Sequence, residues 1–364
     1  MMQKIVVILG LLVFVLISSV VYFRVAMVGQ NKGDGFSFGP IFKETKQAPS
    51  FSKEQFSSLE NTDRIFSNNH EWVATLSGEK VITIITTGDV IPARMVNYKA
   101  MEVYRDPLWP WKKVAETLSR ADITYINLEA PLLHNCQSKR EGMIFCGKDE
   151  MVKGLVFAGV DVANIANNHM GNYGIDGINE TKKILANNKI LSAGIFGPSY
   201  LTVKGVSFAF LGYNDIPGSQ PIDNEVNIDQ MVGEIKAARK QSDIVVVQLH
   251  FGNEYIREPE ERQRYLAKIA IDNGADLIIG NHPHWIKPIE FYKGKLITYG
   301  HGNFIFDQEW SEETKLGVVG KYVFYDKRLI DVKYLPIRIV DFGQPYFLEG
   351  EEKWKVLDKL KPKE

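Results

Sequence analysis

The chain has 364 residues, 45% hydrophobic and 24% charged, a composition that excludes a disordered or fibrous protein. A formal net charge of -1 with interspersed signs leaves no polybasic footprint, which argues against nucleic acid as the ligand. The length suffices for one large α/β domain with a substantial core plus extra segments.

Ile5 to Phe23 is an uncharged run rich in Ile, Leu and Val, set between Lys4 and Arg24. At ~1.5 Å per residue it reaches roughly across the ~30 Å hydrocarbon core of a bilayer. A cleaved secretory peptide has a shorter apolar region of about 7–15 residues, although Ser18, Ser19 and Ala26 leave cleavage open. The expectation is a single-pass anchor over residues 1–28 in the cell membrane, with the main domain extracytoplasmic. Residues 29–79 are polar and lack sustained periodicity, so they read as a stalk partly packed on the domain, with a candidate short helix in FSKEQFSSLENTDRIF.

From Lys80 to Glu364 strand-like and helix-like segments alternate without a convincing internal boundary. WPWKKVAETLSRA predicts a helix with Trp111, Val114, Ala115 and Leu118 on one face. MVKGLVFAG predicts a second short helix, and GINETKKILANNK a third with Ile178, Ile184 and Leu185 inward. SFAFLGYND reads as a strand, and PEERQRYLAKIAIDNGA as a helix with Pro259 near its start and Gly274 at its end. KYVFYD and VKYLPIRIVD read as strands, followed by a terminal helix around Trp354 to Leu360. Cys136 and Cys146 bracket the polar loop QSKREGMIF, a spacing that suits a local disulfide in an exported domain; the alternative is two unpaired thiols. His70 and His134 are expected at the surface, and the aromatic clusters WPW and Phe304–Phe306 in the core.

Six apolar runs end on residues able to bind a metal or move a proton. VITIITTGD delivers Asp89, DITYINLE delivers Asn127 and Glu129, and DVANIANNH delivers Asn167, Asn168 and His169. DIVVVQLH delivers His250, DLIIGNHPH delivers His282 and His284, and LITYGHGN delivers His301 and Asn303. Short Val/Ile/Leu/Thr runs bounded by Gly and Asn read as buried strands, and ligand sites in open sheets gather beyond strand carboxyl ends. Five of the seven histidines sit at such ends, which points to one assembled site. Carboxylates, imidazoles and an Asn carbonyl form the donor set of Zn, Mn or Fe, and a two-metal hydrolase needs one carboxylate able to bridge both ions. Asp89, Glu129, Asn168, His250, His282 and His284 are the candidate ligands, with Pro283 expected to hold an extended backbone between two histidines. His169 is the leftover imidazole, free to act as general acid.

TTGDVIPAR, YINLEAPL, IANNHMGNYGIDG, LHFGNEY, GADLIIGNHPHWIKPIE and YGHGNFIFD follow in the order seen in the CapA/PgsA proteins of poly-γ-glutamate capsule synthesis. The stretch Val81–Asp307 resembles that family, whose fold is similar to that of calcineurin-like metallophosphoesterases. The resemblance implies an α/β, four-layer α-β-β-α sandwich of two mixed sheets, here preceded by an N-terminal transmembrane helix. It implies that Asp89 and His284 serve one of two divalent ions, that Glu129 bridges, and that Asn168, His250 and His282 serve the other. His169 matches the catalytic histidine, and Glu254 is a proton-transfer or supporting residue. Arg94, with Asn127 and Asn303, is expected to hold an anionic substrate. Three positions depart from the patterns. Ile91 stands where the phosphoesterases have a His, and His301 is the proposed replacement. Glu129 replaces their bridging Asp, as in the capsule family, and Asn172 replaces the Asp common after the ANNH motif.

The function expected is metal-dependent hydrolysis or transfer on an acidic surface polymer such as poly-γ-glutamate, at the membrane beside capsule synthase or export subunits. The alternatives are a non-catalytic polymer-binding subunit and an extracytoplasmic metallophosphodiesterase.

Overall fold

VITIITTGDV, ITYINL and IVVVQLH, dense in β-branched residues, form strands that are buried along nearly their whole length. The structure is a computed structural model that describes residues 65–67, 69–137, 139–216 and 226–362. Ile5–Phe23 and most of the expected stalk, including all of its candidate helix except Ile65 and Phe66, lie outside the described residues. Among the described residues no helix is long and apolar enough to cross a membrane.

In chain order the strands are β1 (Val81–Val90), β2 (Ile123–Leu128), β3 (Leu132–Leu133), β4 (Gly147–Lys148), β5 (Val162–Asn164), β6 (Leu191–Ala193), β7 (Ser199–Val203) and β8 (Val206–Asn214). They continue with β9 (Ile244–His250), β10 (Leu277–Asn281), β11 (Ile286–Tyr292), β12 (Lys295–His301), β13 (Asn303–Ile305), β14 (Leu316–Tyr325), β15 (Arg328–Val340) and β16 (Gln344–Phe347). The first sheet runs β16-β15-β14-β1-β2-β5-β6, with β13 also paired to β1, and the second runs β11-β12-β10-β9-β8-β7. Each has a parallel centre, β1-β2-β5-β6 in one and β8-β9-β10-β12 in the other, flanked by antiparallel strands.

Alternate residues of each strand serve opposite faces. Ile82, Ile84, Ile123 and Tyr125 of the first sheet meet Phe208, Phe210, Val246 and Ile279 of the second in one core between the sheets. Ile85, Ile126 and Ala163 pack outward with Leu118, Leu155, Ile178 and Leu185. Those partners come from helices α2 (Ala115–Leu118), α3 (Val152–Phe157) and α4 (Gly174–Asn187), which follow the short α1 (Arg94–Tyr98). On the far side Ala209, Val245 and Ile278 pack with Met231, Ile235, Leu266 and Ala270. These come from α5 (Ile228–Gln241) and α6 (Glu261–Asp272), and a last helix, α7 (Gly350–Leu357), closes the chain. Two helical layers therefore enclose two mixed sheets, the architecture expected.

The helix expected over WPWKKVAETLSRA is broken into a 3-10 turn at Trp109–Trp111 and the four-residue α2. Trp111, Val114, Ala115 and Leu118 are nevertheless all buried as the spacing demands. In α6, Glu260 and Gln263 form a capping box, and Gly274 follows the helix end with φ of 122°. Cys136 and Cys146 are joined in a disulfide beside the β3–β4 ribbon.

The sheet begins at Val81, but earlier residues pack on it. Ile65 is buried in the inter-sheet core, and Trp72, Val73 and Leu76 cover Val323 and Ile330. His70 is not the surface residue expected: its side chain is 10% exposed and its Nδ1 lies 2.8 Å from Asp331 Oδ2.

At the carboxyl end of β1 the Asp89 N–H donates to Gly302 O at 3.0 Å, and Asp89 stands in register with Asn303. A Cβ on Gly88 would lie 2.1 Å from Gly302 O, so only glycine permits this approach. Gly88→Ala is expected to lower stability by about 2 kcal/mol or more, the cost of forcing backbone apart in a packed core. Gly233→Ala, mid-helix in α5 with nothing within 4 Å, is expected to raise stability by up to ~1 kcal/mol. Urea unfolding midpoints of both variants check the pair.

Candidate metal centre

The parallel strands deliver their last residues to one place. Asp89 near the end of β1 stands in register with Asn127 of β2, and Glu129 follows β2 directly. In the second sheet, His250 at the end of β9 is in register with Asn281 at the end of β10, just before His282 and His284. Asp89, Glu129 and His284 bring donor atoms within 4.8 Å of one another, as do Glu129, His250 and His282. Glu129 belongs to both groups, the position of a bridge. Asn168 joins them, with Oδ1 2.8 Å from His250 Nε2, which is itself 3.4 Å from Glu129 Oε1.

His282 and His284 are not on extended backbone. Their φ angles are 92° and 55°, so both lie in the left-handed region that non-glycine residues rarely occupy. Pro283 sits in a tight turn that aims both rings into the cluster. Strain of this kind persists where the surroundings enforce it, characteristically at functional sites.

Burial sets the electrostatics. Burial and the neighbouring Asp89 charge push the Glu129 carboxyl well above the usual carboxylate range. Burial also pushes Asp89 upward, but the hydrogen bond and charge of His284 outweigh it and hold Asp89 well below that range. Burial lowers His250 to about 3 and His282 well below an ordinary imidazole. Both rings are thus neutral at pH 7, the form that binds a metal. Two buried polar atoms, Glu129 Oε1 and His282 Nδ1, have no hydrogen-bond partner. Such atoms are costly unless something completes them, and a divalent ion fits both the position and the donor chemistry.

Several expected roles change. Asn127 and Asn303 are fully buried and belong to the scaffold rather than to a substrate surface. Asn127 Nδ2 donates to Asp89 Oδ1 at 2.9 Å and to Glu129 Oε2 at 3.3 Å, and its Oδ1 accepts from Asn164 and Asn167. Asn303 Oδ1 lies 2.8 Å from His284 Nδ1, while its Nδ2 donates to Gln308 and Thr314. Arg94 is committed to Asp307 and donates from Nη1 to Gly142 O, so it offers no unengaged fork to a substrate. His301 does not replace the ligand missing at Ile91. Its ring is bonded to Thr86, Tyr322 and Gly280 O, and Ile91 itself packs with Ala93, Ala130, Phe145 and Phe306. Glu254 instead groups with His282 and His284, placing a third carboxylate at donor distance.

His169 Nδ1 lies 3.1 Å from Asn172 Oδ1, so the amide still orients the ring without supplying a charge. Phe145 stacks on the ring at 3.9 Å, and the Phe145 N–H donates to the same Asn172 oxygen. Burial pushes His169 down to about 4. With its proton on Nδ1, the ring presents Nε2 as an acceptor, and the acid role requires a proton gained with a substrate. Sequence reasoning missed Asn281, which donates to Asp89 Oδ1 at 2.8 Å and was visible as the strand end before His282. It also missed Phe145, which no motif announces and which the adjacent disulfide holds in place.

The fold and donor set define an α/β sandwich with a buried carboxylate–imidazole centre at its strand ends. Residues 83–308 match the bacterial capsule synthesis protein PGA_cap family, and the chain belongs to that family. It is 36% identical over 256 residues to the PGA biosynthesis protein CapA of Bacillus subtilis (strain 168), covering 64% of this chain and 65% of that protein. It is 32% identical over 286 residues to the capsule biosynthesis protein CapA of Bacillus anthracis, covering 72% of this chain and 69% of that one. A novel phosphatase from Mycoplasma pneumoniae aligns in structure over 72% of this chain and 95% of its own, with 13% identity and a TM-score of 0.47.

Glu129→Gln and His282→Ala are expected to reduce bound Mn or Zn by at least half in elemental analysis of purified protein. His301→Gln, which alters a buried ring outside the donor groups, is expected to lower stability but leave metal content unchanged.

Proposed function

We propose that the chain is a metal-dependent hydrolase or transferase acting on an acidic surface polymer in poly-γ-glutamate capsule synthesis. The observation that carries this is Glu129: buried, shared by two donor groups, and with one oxygen left unpartnered. The Bacillus CapA relatives, proteins of PGA and capsule biosynthesis, point to the polymer. The apolar run Ile5–Phe23 supports an extracytoplasmic domain held at the membrane, where synthase and export subunits would be its neighbours.

Asp89, Glu129, Asn168, His250, His282 and His284 would hold the ions, with Glu254 beside them. Ions held there supply Lewis-acid stabilisation of developing negative charge and acidify water. The protein's own contribution is positional. Asn127 and Asn281 fix Asp89 Oδ1, Asn303 fixes His284, and Asn172 with Phe145 fixes His169. His169 is the imidazole of this set that lies outside the donor groups, and its Nε2 would take up and return a proton at the scissile bond. The positive charge of Arg94, partly offset by Asp307, adds to the field felt by His169.

Purified full-length protein loaded with Mn or Zn is expected to shorten oligo-γ-glutamate, read by mass spectrometry. His169→Ala is expected to slow this by about 100-fold or more without loss of metal. Turnover of a phosphodiester alone would indicate a phosphodiesterase, and metal binding with no cleavage of either substrate would indicate a polymer-binding subunit.

A further inference from the structure

The outer face of the first sheet carries a basic cavity that the metal centre does not explain. Its volume is about 570 Å³, and its lining includes Thr83, Arg120, Lys321, Lys333, Phe347 and Lys353. Ile85 of β1 is in register with Lys321 of β14, and Lys321 with Lys333 of β15. Because Ile85 packs on the outer side, the two lysines are direct cross-strand neighbours on that same face.

Like charges directly opposite in an antiparallel pair destabilise a sheet, and here no ion pair relieves them. Among the described residues no carboxylate lies within ion-pair distance of Lys321, Lys333 or Lys353, whereas Arg120 is paired with Glu116. Asp331, two residues before Lys333, is engaged by His70. Glu349 is the one carboxylate in the lining. Burial, and then the charge of Lys333, lowers the Lys321 pKa, while Asp331 opposes the shift. The remaining wall is apolar, with Ile85, Leu335 and Pro336 beside Phe347.

We propose that this cavity is a second anion-binding site, which grips a run of carboxylates spaced along the methylene-rich backbone of an acidic polymer. The proposal rests on the polymer reading of the preceding section and extends it to a site apart from the reaction. Paired ammonium groups match successive carboxylates, and the apolar wall takes the methylenes between them. A compact ion such as inorganic phosphate would use the lysines and leave that wall exposed. Ile85 precedes Asp89 by four residues on β1, so the cavity is separated from the metal centre by roughly 13 Å of strand at ~3.3 Å per residue. Holding a polymer there would raise its concentration at the centre without any contact to the reacting bond.

The test is fluorescence anisotropy of labelled oligo-γ-glutamate on the full chain, with oligoglutamine as the neutral control. The double variant Lys321→Gln/Lys333→Gln is expected to bind about 10-fold more weakly and with a shallower dependence on salt. Lys353→Gln, on helix α7, provides a milder variant with the same direction of change. Unchanged affinity in both variants, or equal binding of oligoglutamine, overturns the proposal. Lysine-dependent binding of inorganic phosphate without binding of the oligomer overturns it as well, since the site would then serve small anions. Lysine-dependent oligomer binding in a His282→Ala background that cleaves nothing supports the cavity even if the catalytic reading fails.

Discussion

Two carboxylates, Asp89 and Glu129, are buried side by side, and the centre depends on how their charge is neutralised. Removing two anions from water and placing them together is prohibitive unless one is protonated or a cation lies between them. Without an ion, the electrostatics divide the labour: Asp89 keeps its charge through His284 and the amides of Asn127 and Asn281, and Glu129 is driven toward the protonated form. A bound cation would remove that penalty and restore both charges. The neutral imidazoles of His250 and His282 stand ready as donors because burial denies them protons.

The fold meets the cost of this arrangement with close backbone contacts and a buried amide layer. Gly88 against Gly302 brings the end of β1 onto β13, and the left-handed turn at His282–His284 bends two rings back into the cluster. Gln248, Asn281, Asn127 and Asn164 link the two sheets beneath the carboxylates through side-chain hydrogen bonds. The disulfide lies at the other rim, where it anchors the loop before β4 that carries Phe145 onto His169. A networked polar layer of this kind stiffens what it supports, although Gln248 Oε1 has no hydrogen-bond partner in it.

Much of this was legible in the chain because strand ends are legible: an apolar run that stops at Asp89, Glu129 or His250 marks both the strand and the edge where its last side chain emerges. The metal-donor candidates converge accordingly. What was not legible depends on which neighbour a strand end meets. Asn127 lies near the end of β2 as Asp89 does on β1, and Asn303 opens β13, but their amides turn into the interior, where carboxylate and imidazole partners are available. His301 also ends a strand, yet Thr86 and Tyr322 take its ring below the centre. Glu254 reaches the donors from a loop whose next residue, Tyr255, has φ of 60°, a turn that no periodicity encodes. The lysine pair at Lys321 and Lys333 was hidden for a similar reason, since cross-strand register appears only when β14 and β15 are paired.

The central claim is that distant acids, amides and imidazoles of this chain close around bound ions, with Glu129 between them. Anomalous scattering at the absorption edge of Mn or Zn from crystals grown with that metal locates the ions directly. The account predicts peaks in coordination contact with Glu129, accompanied by Asp89 and His284 on one side or His250 and His282 on the other. Metal-saturated crystals with no peak at Glu129, or with ions bound only at surface carboxylates, would contradict it.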